Sequence, residues 1–380
     1  MAANIFAVCV VLVLVVIALT AGKSAWDSRT QGSPAAAPAP APEPSPAEPS
    51  LRAFAPQGLR VGTAVRVKTL NADWSYRKVL AREFNAVTAE SEMKWAQLEP
   101  SRGEYDWAAA DRLVDFAKTN RQSVYGHTLV WHTDLPFWLS RVTSPDELRE
   151  LLRQHITNVV SRYKGRIWAW DVVNEVLADD GSALRDTIWL RKLGPGYIAD
   201  AFRWAHEADP QAVLFINDYG AEGRGTKSDM LYQLVTRLRA EGVPVHGVGF
   251  QFHIEAAAPP VRMPENLSRF TAAGLKVAVT ELDVRIKLPA NRQKLEQQAR
   301  AYRQVLAVCM DQPSCVSFTL WGFTDGHSWI PGYHRGYGAA CVYNAEFGPK
   351  PAYTALRRLL TESRLAAAGR PRPATASATP

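Results

Sequence analysis

Two glutamates, Glu175 and Glu281, end apolar runs in separate parts of the chain. The first closes the segment WAWDVVNE, which begins at Trp168, and the second closes KVAVTE, which begins at Lys276. β-Branched and aromatic residues at this density predict buried strands. A carboxylate at the end of a buried strand is costly unless a neighbouring group or a substrate uses it. We therefore expect the two carboxylates to share one cleft.

A pair of carboxylates in one cleft is the minimum equipment for hydrolysing a glycosidic bond. One carboxylic acid protonates the leaving oxygen, while the other carboxylate attacks the sugar or activates water. The alternative is that each glutamate is structural and pairs with an arginine, and this would be the better interpretation for either glutamate alone. Other apolar runs also end on polar residues, which favours a common site: Glu90, His127, Asp218, Gln251 and His253. Asn174 and Asp283 stand beside the two glutamates, and Trp321 stands at the end of the last run.

The elements that must position these residues alternate between strand and helix from Leu59 onward. Predicted strands occupy 59–65, 86–90, 123–130, 168–175, 212–219, 245–253, 276–284 and 316–323. Predicted helices between them include 108–119, 144–163, 198–208, 228–241 and 292–308. Eight such units over roughly 300 residues predict an α/β fold, the (β/α)8 TIM barrel, with its chemistry at the C-terminal strand ends. An open doubly wound sheet is the alternative, but it would normally carry a Gly-rich phosphate loop after an early strand, which this sequence lacks.

The segments around these polar residues resemble glycoside hydrolase family 10, the endo-β-1,4-xylanases. The resemblance covers about residues 61 to 360 and keeps the family's order throughout. Its segments are FNAVTAESEMKW (84–95), GHTLVWH (126–132), WDVVNE (170–175), NDY (217–219), GFQFH (249–253), TELD (280–283), TLWG (319–322), SWIPG (328–332) and GPKPAY (348–353). Nine fragments in order make the resemblance specific. It implies the TIM-barrel fold and hydrolysis of xylan with retention of configuration.

The resemblance also implies a role for each matching residue. Glu175 is expected to be the general acid/base and Glu281 the nucleophile, with their carboxyl groups about 5–5.5 Å apart, as retention requires. Asp283 is expected to orient the ring of His253. The residues expected to bind substrate are Glu90, Lys94, His127, Trp131, Asn174, Tyr219, Gln251, His253, Trp321 and Trp329.

Three positions depart from the family pattern. Ser91 stands where the family usually has Asn, so we expect weaker binding of the second sugar on the non-reducing side. Phe252 stands where many relatives have a small polar residue, and its side chain is expected to point away from the carboxylates. Gly220 follows Tyr219 where relatives often carry Asn, so binding of the leaving group is expected to differ.

Other functions stay open on the sequence alone. One is a related β-1,4-glycanase or an enzyme that trims xylo-oligosaccharides, and one of another class is a non-catalytic carbohydrate-binding barrel. A zinc site built from His127, His132 and His253 is disfavoured because no HExxH or similarly tight spacing occurs. The 44 basic and 37 acidic residues include no basic run of five, so no nucleic-acid partner is expected. We expect a monomer that needs no cofactor and no metal.

The N-terminal region predicts export or membrane attachment. Residues 5–21 are almost all apolar, so 1–22 is either a signal peptide or an uncleaved anchor. A Pro/Ala-rich disordered linker is predicted over 23–55, the catalytic domain over 56–364 and a disordered tail over 365–380. The positive-inside tendency of Lys23 and Arg29 would keep the domain in the cytoplasm. A polymeric substrate outweighs it and predicts an extracytoplasmic domain, either secreted or membrane-anchored.

The cysteines bear on the same question. The resemblance implies a short-loop disulfide between Cys309 and Cys315, and the alternative is two buried free thiols, as in a reducing cytosol. A disulfide would favour export, and Cys341 is left without an assignment.

Overall fold

The computed structural model describes residues 49–368 of the 380-residue chain, with side chains described as far as 366. The predicted signal peptide or anchor (1–22), most of the predicted linker (23–55) and the end of the predicted tail (365–380) lie outside the described residues. Within 49–368, no helix combines the length and the apolar character that a membrane crossing needs.

Eight parallel strands close into a barrel, which confirms the predicted (β/α)8 fold. Each strand pairs with the next in the sequence, and the last pairs with the first. Two short strands, His253–Glu255 and Tyr337–Gly338, pair with the outer part of the seventh barrel strand. The barrel strands are β1 Arg60–Val65, β2 Ala86–Ala89, β3 Ser123–Gly126, β4 Ile167–Asn174, β5 Val213–Asp218, β6 Gly247–Phe250, β7 Lys276–Lys287 and β8 Cys315–Leu320.

Helices cover the outside of the barrel and fill its loops. Their bounds are α1 Leu51–Phe54, α2 Val67–Ala72, α3 Trp74–Glu83, α4 Trp95–Leu98, α5 Ala108–Thr119, α6 Pro145–Arg162, α7 Ile188–Leu193, α8 Tyr197–Ala208, α9 Thr226–Ala240, α10 Met263–Ala272, α11 Arg292–Met310, α12 Ile330–Tyr333 and α13 Pro351–Ala368, with 3-10 turns at Phe137–Arg141 and Asp325–His327. The start of α6 shows how the sequence sets such bounds. The Ser144 side chain accepts a hydrogen bond from the Glu147 amide, and Pro145 occupies the first helical position, where its missing N–H is not needed.

Large aromatic side chains pack inside and around the barrel where glycine makes room. The rings of Tyr125 and Phe215 lie 5.7 Å apart between their centroids in the barrel interior. A Cβ atom on Gly247 would come within 2.4 Å of Phe215, and one on Gly126 within 2.1 Å of Trp170. Only glycine therefore fits these two strand positions, and the dense packing holds the strand ends that carry the polar residues.

The folded domain extends beyond the predicted bounds of 56–364. Leu51 in α1 is fully buried, and its backbone N–H donates to the buried Glu83 carboxylate at 3.0 Å. The Tyr353 hydroxyl in α13 donates to the same oxygen at 3.1 Å. Residues 51–54 therefore belong to the domain and not to a linker, and 365–368 continue a helix and not a disordered tail. The composition of the Pro-rich stretch hid these contacts because they form between distant parts of the chain.

The third and sixth predicted strands, 123–130 and 245–253, are the ones most shortened in the structure. The third ends at Gly126, and the chain returns to the sheet only as an isolated bridge between Val130 and Val173. The sixth stops at Phe250, because Phe252 has a left-handed backbone (φ 59°) that no continuous strand allows. The Phe252 side chain is fully buried in the hydrophobic core.

A disulfide joins Cys309 in α11 to Cys315 in β8, with their Cα atoms 5.4 Å apart, as predicted. Cys341 is a buried free thiol.

Candidate active site

Glu281 is a buried carboxylate on β7, near the C-terminal end of the barrel. Its Oε1 accepts a hydrogen bond from Asn217 Nδ2 at 2.7 Å, and its Oε2 lies 3.1 Å from His253 Nε2. His127 Nδ1 is 3.8 Å from Oε1. Burial raises the pKa of Glu281, but His127, His253 and Asn217 together outweigh burial and lower it overall. The carboxylate is therefore held ionised, which is the form that can attack an electrophilic carbon.

His253 lies between two carboxylates. Its Nδ1 is 2.9 Å from Asp283 Oδ2, and its Nε2 faces Glu281. Trp329 Nε1 donates to the same Asp283 oxygen at 2.7 Å. Burial lowers the pKa of His253, but Asp283 and Glu281 raise it to about 10. Both ring nitrogens therefore carry protons near neutral pH and donate to the two carboxylates.

Glu175 follows the last residue of β4 and presents its carboxylate to two donors. Trp131 Nε1 donates to Oε2 at 2.8 Å, and Gln251 Nε2 donates to Oε1 at 3.2 Å. The Glu175 backbone is left-handed (φ 58°), which for a non-glycine residue costs on the order of 1–3 kcal/mol. Such strain persists only where the surrounding structure holds it, and functional sites are where it concentrates.

The neighbouring backbone and one arginine hold Glu175 in this conformation. The Glu175 N–H donates to the Asn217 carbonyl at 2.8 Å, and Arg185 Nε donates to the Glu175 carbonyl at 2.9 Å. The same guanidinium donates to the Tyr219 hydroxyl at 2.8 Å and to Asp179 at 2.7 Å. Arg185 thus ties Glu175 to Tyr219, the residue predicted to bind the leaving group.

A buried ion pair lies beneath this loop. Lys227 Nζ is 2.8 Å from Asp218 Oδ1, and both side chains are almost fully buried. The other Asp218 oxygen accepts the Leu177 N–H at 3.2 Å, and the Tyr219 ring centroid lies 3.7 Å from Lys227 Nζ. Burial raises the pKa of Asp218 to about 6, against the opposing effect of Lys227. The pair therefore supports the chain immediately after Glu175.

Three amide side chains connect the two glutamates. Gln251 Nε2 contacts both Glu175 and Asn174 Oδ1 at 3.2 Å. Asn217 Nδ2 contacts Asn174 Oδ1 at 2.9 Å as well as Glu281. Both carboxylates therefore belong to one hydrogen-bond network at one end of the barrel. Asn174 uses its oxygen in both bonds, which leaves its NH2 group as the part that can reach a ligand.

His127 forms a second buried pair next to Glu281. Its Nδ1 lies 2.9 Å from Asp171 Oδ2, and the Tyr125 hydroxyl donates to the other Asp171 oxygen at 2.7 Å. The His127 ring also meets Trp321 edge-on at 5.1 Å between centroids. Among the described residues, His127, Asp171 and Glu281 form a group whose potential metal-ligand atoms lie within 4.8 Å of one another. Each of the three already has a hydrogen-bonding partner of the protein, so the group is satisfied without an ion.

Glu90 and Lys94, predicted to bind sugars, lie outside this network. Glu90 is 2.7 Å from Arg66 Nη2 in an ion pair, and burial raises the pKa of Glu90 despite that arginine. Lys94 Nζ is 3.1 Å from Asp134 and 4.6 Å from the Trp131 ring centroid. Lys94 therefore borders the site through Trp131, while Glu90 has no described contact with the network.

Four residues of the site were missed as contributors on the sequence alone: Asn217, Asp171, Arg185 and His132. Asn217 ends an apolar run just as Asn174 does, so the same rule could have selected it. Asp171 stands inside a buried strand, where an unpaired carboxylate would be costly, and that was a usable signal. Arg185 lies in a loop and gives no periodic signal. His132 entered the sequence analysis only as part of the disfavoured zinc site, yet its Nδ1 lies 3.9 Å from Glu175 Oε2.

The chain is similar to known glycosyl hydrolases. The model of glycosyl hydrolase family 10 matches residues 50–359. Endo-1,4-beta-xylanase B of Thermotoga neapolitana is 42% identical over 290 residues, which cover 76% of this chain and 84% of that protein. The crystal structure of xylanase 10B from Thermotoga petrophila, in complex with xylobiose, has a TM-score of 0.80 at 40% identity and covers 83% of this chain and 98% of that one. TsXylA, described as an intracellular xylanase from Thermoanaerobacterium saccharolyticum, has a TM-score of 0.77 at 35% identity, with 82% and 99% covered.

Proposed function

The chain belongs to glycosyl hydrolase family 10 and is a glycoside hydrolase, and on this premise we propose that it cleaves internal β-1,4-xylosidic bonds of xylan with retention of configuration. The observation that carries the proposal is the amide network that joins Glu175 to Glu281. The relatives named above are xylanases, and one of them was solved with xylobiose. They favour neither a β-glucanase nor a non-catalytic sugar-binding barrel.

In the first step, Glu281 attacks the anomeric carbon while Glu175 donates its proton to the glycosidic oxygen. The carbon–oxygen bond to the leaving sugar breaks, and an ester forms between the remaining sugar and Glu281. The lowered pKa of Glu281 supports this role because the attacking group must be ionised. Asn217 and His253, which bond its two oxygens, fix the direction of the attack.

In the second step, Glu175 removes a proton from a water molecule, which attacks the same anomeric carbon. The ester bond breaks and Glu281 leaves as a carboxylate, so two inversions give net retention. Esterification removes the negative charge of Glu281, and the loss of that charge makes it easier for Glu175 to become an anion and act as the base. Arg185 and the buried Asp218–Lys227 pair hold the loop of Glu175 through both steps.

The remaining predicted residues bind the sugars. Asn174 donates its amide to the 2-hydroxyl, a bond that strengthens in the transition state. Apolar sugar faces pack on the indoles that wall the cleft, where aromatic side chains supply large contact area. Tyr219 serves the leaving-group side, and Glu90 and Lys94 serve the non-reducing side. The indoles that wall the cleft are those of Trp131, Trp321 and Trp329. Gln251 and His127 make polar contacts with the sugars.

Product analysis tests this function. Unbranched xylan and carboxymethyl-cellulose are incubated with the full chain, and soluble sugars are followed from the first minutes. We expect a ladder of xylo-oligomers early in the reaction on xylan and no comparable release from the cellulose derivative. Equal release from both would indicate a broad β-1,4-glycanase. Release of xylose alone would indicate a trimming enzyme, and binding of xylo-oligomers without turnover would indicate a binding protein.

We further propose that the domain acts outside the cytoplasm as a monomer. A polymer cannot cross a membrane, the Cys309–Cys315 disulfide is typical of oxidising compartments, and 5–21 are apolar. Family membership does not decide the location, since one relative is described as intracellular. Intact mass of the protein from the culture medium and from membranes distinguishes a cleaved signal peptide from a retained anchor. Light scattering of the same samples gives the oligomeric state.

A further inference from the structure

β7 continues beyond the barrel and carries charged residues along one face. Glu281 and Asp283 both contact the His253 ring, so they share a face of this strand. Side chains alternate along a strand, which puts Arg285 and Lys287 on the same face, while positions 284 and 286 are buried. At the usual rise of a strand, Arg285 lies about 13 Å and Lys287 about 20 Å from Glu281 along the chain. The face that presents the nucleophile thus becomes basic as it leaves the barrel.

A row of rings stands beside this basic face. The Tyr333 centroid lies 5.1 Å from Trp329 and 5.0 Å from His334, and His334 lies 6.4 Å from Tyr337. The Arg285 guanidinium carbon is 5.6 Å from the centroid of Tyr337. We call these five residues the aromatic shelf. Its inner end, Trp329, borders the His253 ring at 4.9 Å, so the shelf is continuous with the proposed xylan site.

Tyr333 is the part of the shelf that is not covered by the protein. Its side chain is 74% exposed although it touches Trp329, and an exposed ring of this kind can pack on the apolar face of a sugar. Arg285 Nη1 donates to the His253 carbonyl at 3.1 Å and not to a carboxylate. Two carboxylates contact the shelf: Glu255 lies 3.4 Å from the Tyr337 hydroxyl, and Asp283 accepts from Trp329 Nε1 at 2.7 Å.

The charge of the shelf selects between two kinds of sugar. Backbone xylose is neutral and needs no guanidinium, whereas a uronic acid carries a carboxylate that arginine binds with charge-assisted hydrogen bonds. Two further basic residues, Lys287 and Arg335, are exposed in the same segments. Asp283 is already paired with the protonated His253 ring, so Arg285, Lys287 and Arg335 outnumber the one remaining carboxylate, Glu255. This surplus of positive charge favours an acidic sugar.

We propose that the aromatic shelf binds a uronic acid branch of xylan, with Tyr333 packed on the branch sugar and Arg285 paired with its carboxylate. The inference rests on the proposed function, because it assigns the branched form of the same polysaccharide to an extension of the same site. It makes Tyr333 and Arg285 residues of substrate choice, which act on branched chains and not on the bond-breaking steps.

Three xylo-oligomers of equal backbone length test the inference. One is linear, one carries a glucuronic acid branch, and one carries the same branch with its carboxyl group reduced to an alcohol. We expect Tyr333→Ala to lower kcat/KM about tenfold on both branched oligomers, as the loss of one aromatic contact implies, and to leave the linear oligomer unchanged. For each protein, kcat/KM on the acidic-branched oligomer is divided by kcat/KM on the reduced-branch oligomer, so that general effects of a substitution cancel. This ratio should be lower in Arg285→Gln than in the unchanged protein.

Trp74→Ala is the matched control. Trp74 is 63% exposed and has its own cation partner, Lys78, 4.9 Å from its ring centroid, but it has no ring contact with the shelf. Trp74→Ala should leave kcat/KM unchanged on all three oligomers. The inference would be overturned if Tyr333→Ala lowered kcat/KM equally on linear and branched oligomers, or did not lower it on the branched ones. It would also be overturned if Trp74→Ala lowered kcat/KM in the same way as Tyr333→Ala.

If the unchanged enzyme cleaves none of the oligomers, the proposed function fails. The inference about the aromatic shelf is then tested by calorimetric binding of the acidic oligomer. Equal affinities of the unchanged protein and Tyr333→Ala would overturn the inference.

Discussion

Asp283→Asn removes one negative charge from the site with little change of shape. Asp283 Oδ2 lies 2.9 Å from His253 Nδ1 and accepts from Trp329 at 2.7 Å. The pKa of His253 is raised from 6.5 to about 10, and this difference corresponds to a preference on the order of 5 kcal/mol for the protonated ring in the folded protein. Burial opposes that preference, and Asp283 is the largest influence that sustains it. Without the Asp283 charge, we expect His253 to become neutral near neutral pH.

The loss of that positive charge reaches the nucleophile. His253 is one of the groups that lower the pKa of Glu281, so the pKa of Glu281 should rise in the variant. Glu281 is active when ionised, that is, above its pKa, and a higher pKa therefore moves the acidic limb of kcat/KM to higher pH. A cation at this distance changes a carboxylate pKa by about one to three pH units, so we expect a movement of about one unit or more.

The assay is kcat/KM on an aryl xylobioside between about pH 3 and pH 9, where the acidic limb reports the free enzyme. Trp329→Phe is the matched control, because it removes the other hydrogen bond to Asp283 and keeps the charge. Its acidic limb should stay in place. The reasoning would be refuted if the acidic limb of kcat/KM stayed at the same pH in Asp283→Asn. It would also be refuted if the limb moved equally in Trp329→Phe.

Stability should show the same interaction. A group whose pKa is raised on folding stabilises the protein fully below its unfolded pKa and loses that contribution as pH rises through the folded pKa. For His253 the window runs from 6.5 to about 10. The difference in free energy of unfolding between the unchanged protein and Asp283→Asn should therefore be largest below this window and shrink across it.

Four further outcomes follow from the structure. Glu175→Ala should slow hydrolysis of unactivated xylan about 10²–10⁴-fold. The first step on aryl xylobiosides with good leaving groups should be spared, because such groups leave without a proton. Full activity of this variant on xylan would exclude Glu175 as the acid. Arg185→Gln should also slow hydrolysis more for poor leaving groups than for good ones, but to a smaller degree than Glu175→Ala. Arg185→Lys should recover part of the lost rate. Equal losses of rate on all leaving groups would indicate a general structural role for Arg185. The paired change Cys309→Ser and Cys315→Ser should lower the free energy of unfolding by about 2 kcal/mol in denaturant titrations, and no change would show that the disulfide contributes nothing. Ser91→Asn should lower KM on short xylo-oligomers by the equivalent of about 1 kcal/mol, and an unchanged KM would mean that position 91 does not reach the sugar.

The sequence predicted the barrel and the two glutamates because both depend on local rules. A buried strand has a recognisable composition, and a carboxylate at its end stands out because burial is costly there. Glu175 and Glu281 satisfy both rules, and the structure joins them in one network. The spacing of the helices also followed from periodicity, as in Ala108–Thr119.

The positioning contacts could not be predicted in the same way. Arg185 reaches the Glu175 carbonyl from a loop, and loop geometry leaves no periodic pattern in the sequence. Leu51 belongs to the domain through Glu83, a contact between residues far apart in the chain. The break at Phe252 comes from a left-handed backbone that an apolar run does not reveal. Tertiary contacts decided each of these features, and local composition carries little information about them.

The most direct test of the central claim is to identify the residue that becomes covalently attached to the sugar. An activated 2-deoxy-2-fluoro-xylobioside is expected to form the glycosyl-enzyme and to slow its hydrolysis, since fluorine removes the 2-hydroxyl contact that stabilises both transition states. Peptide mass mapping should then find one xylobiosyl adduct, on Glu281, and none in Glu281→Gln. An adduct on Glu175 or on another residue, or turnover that releases the inverted anomer without any adduct, would contradict the account.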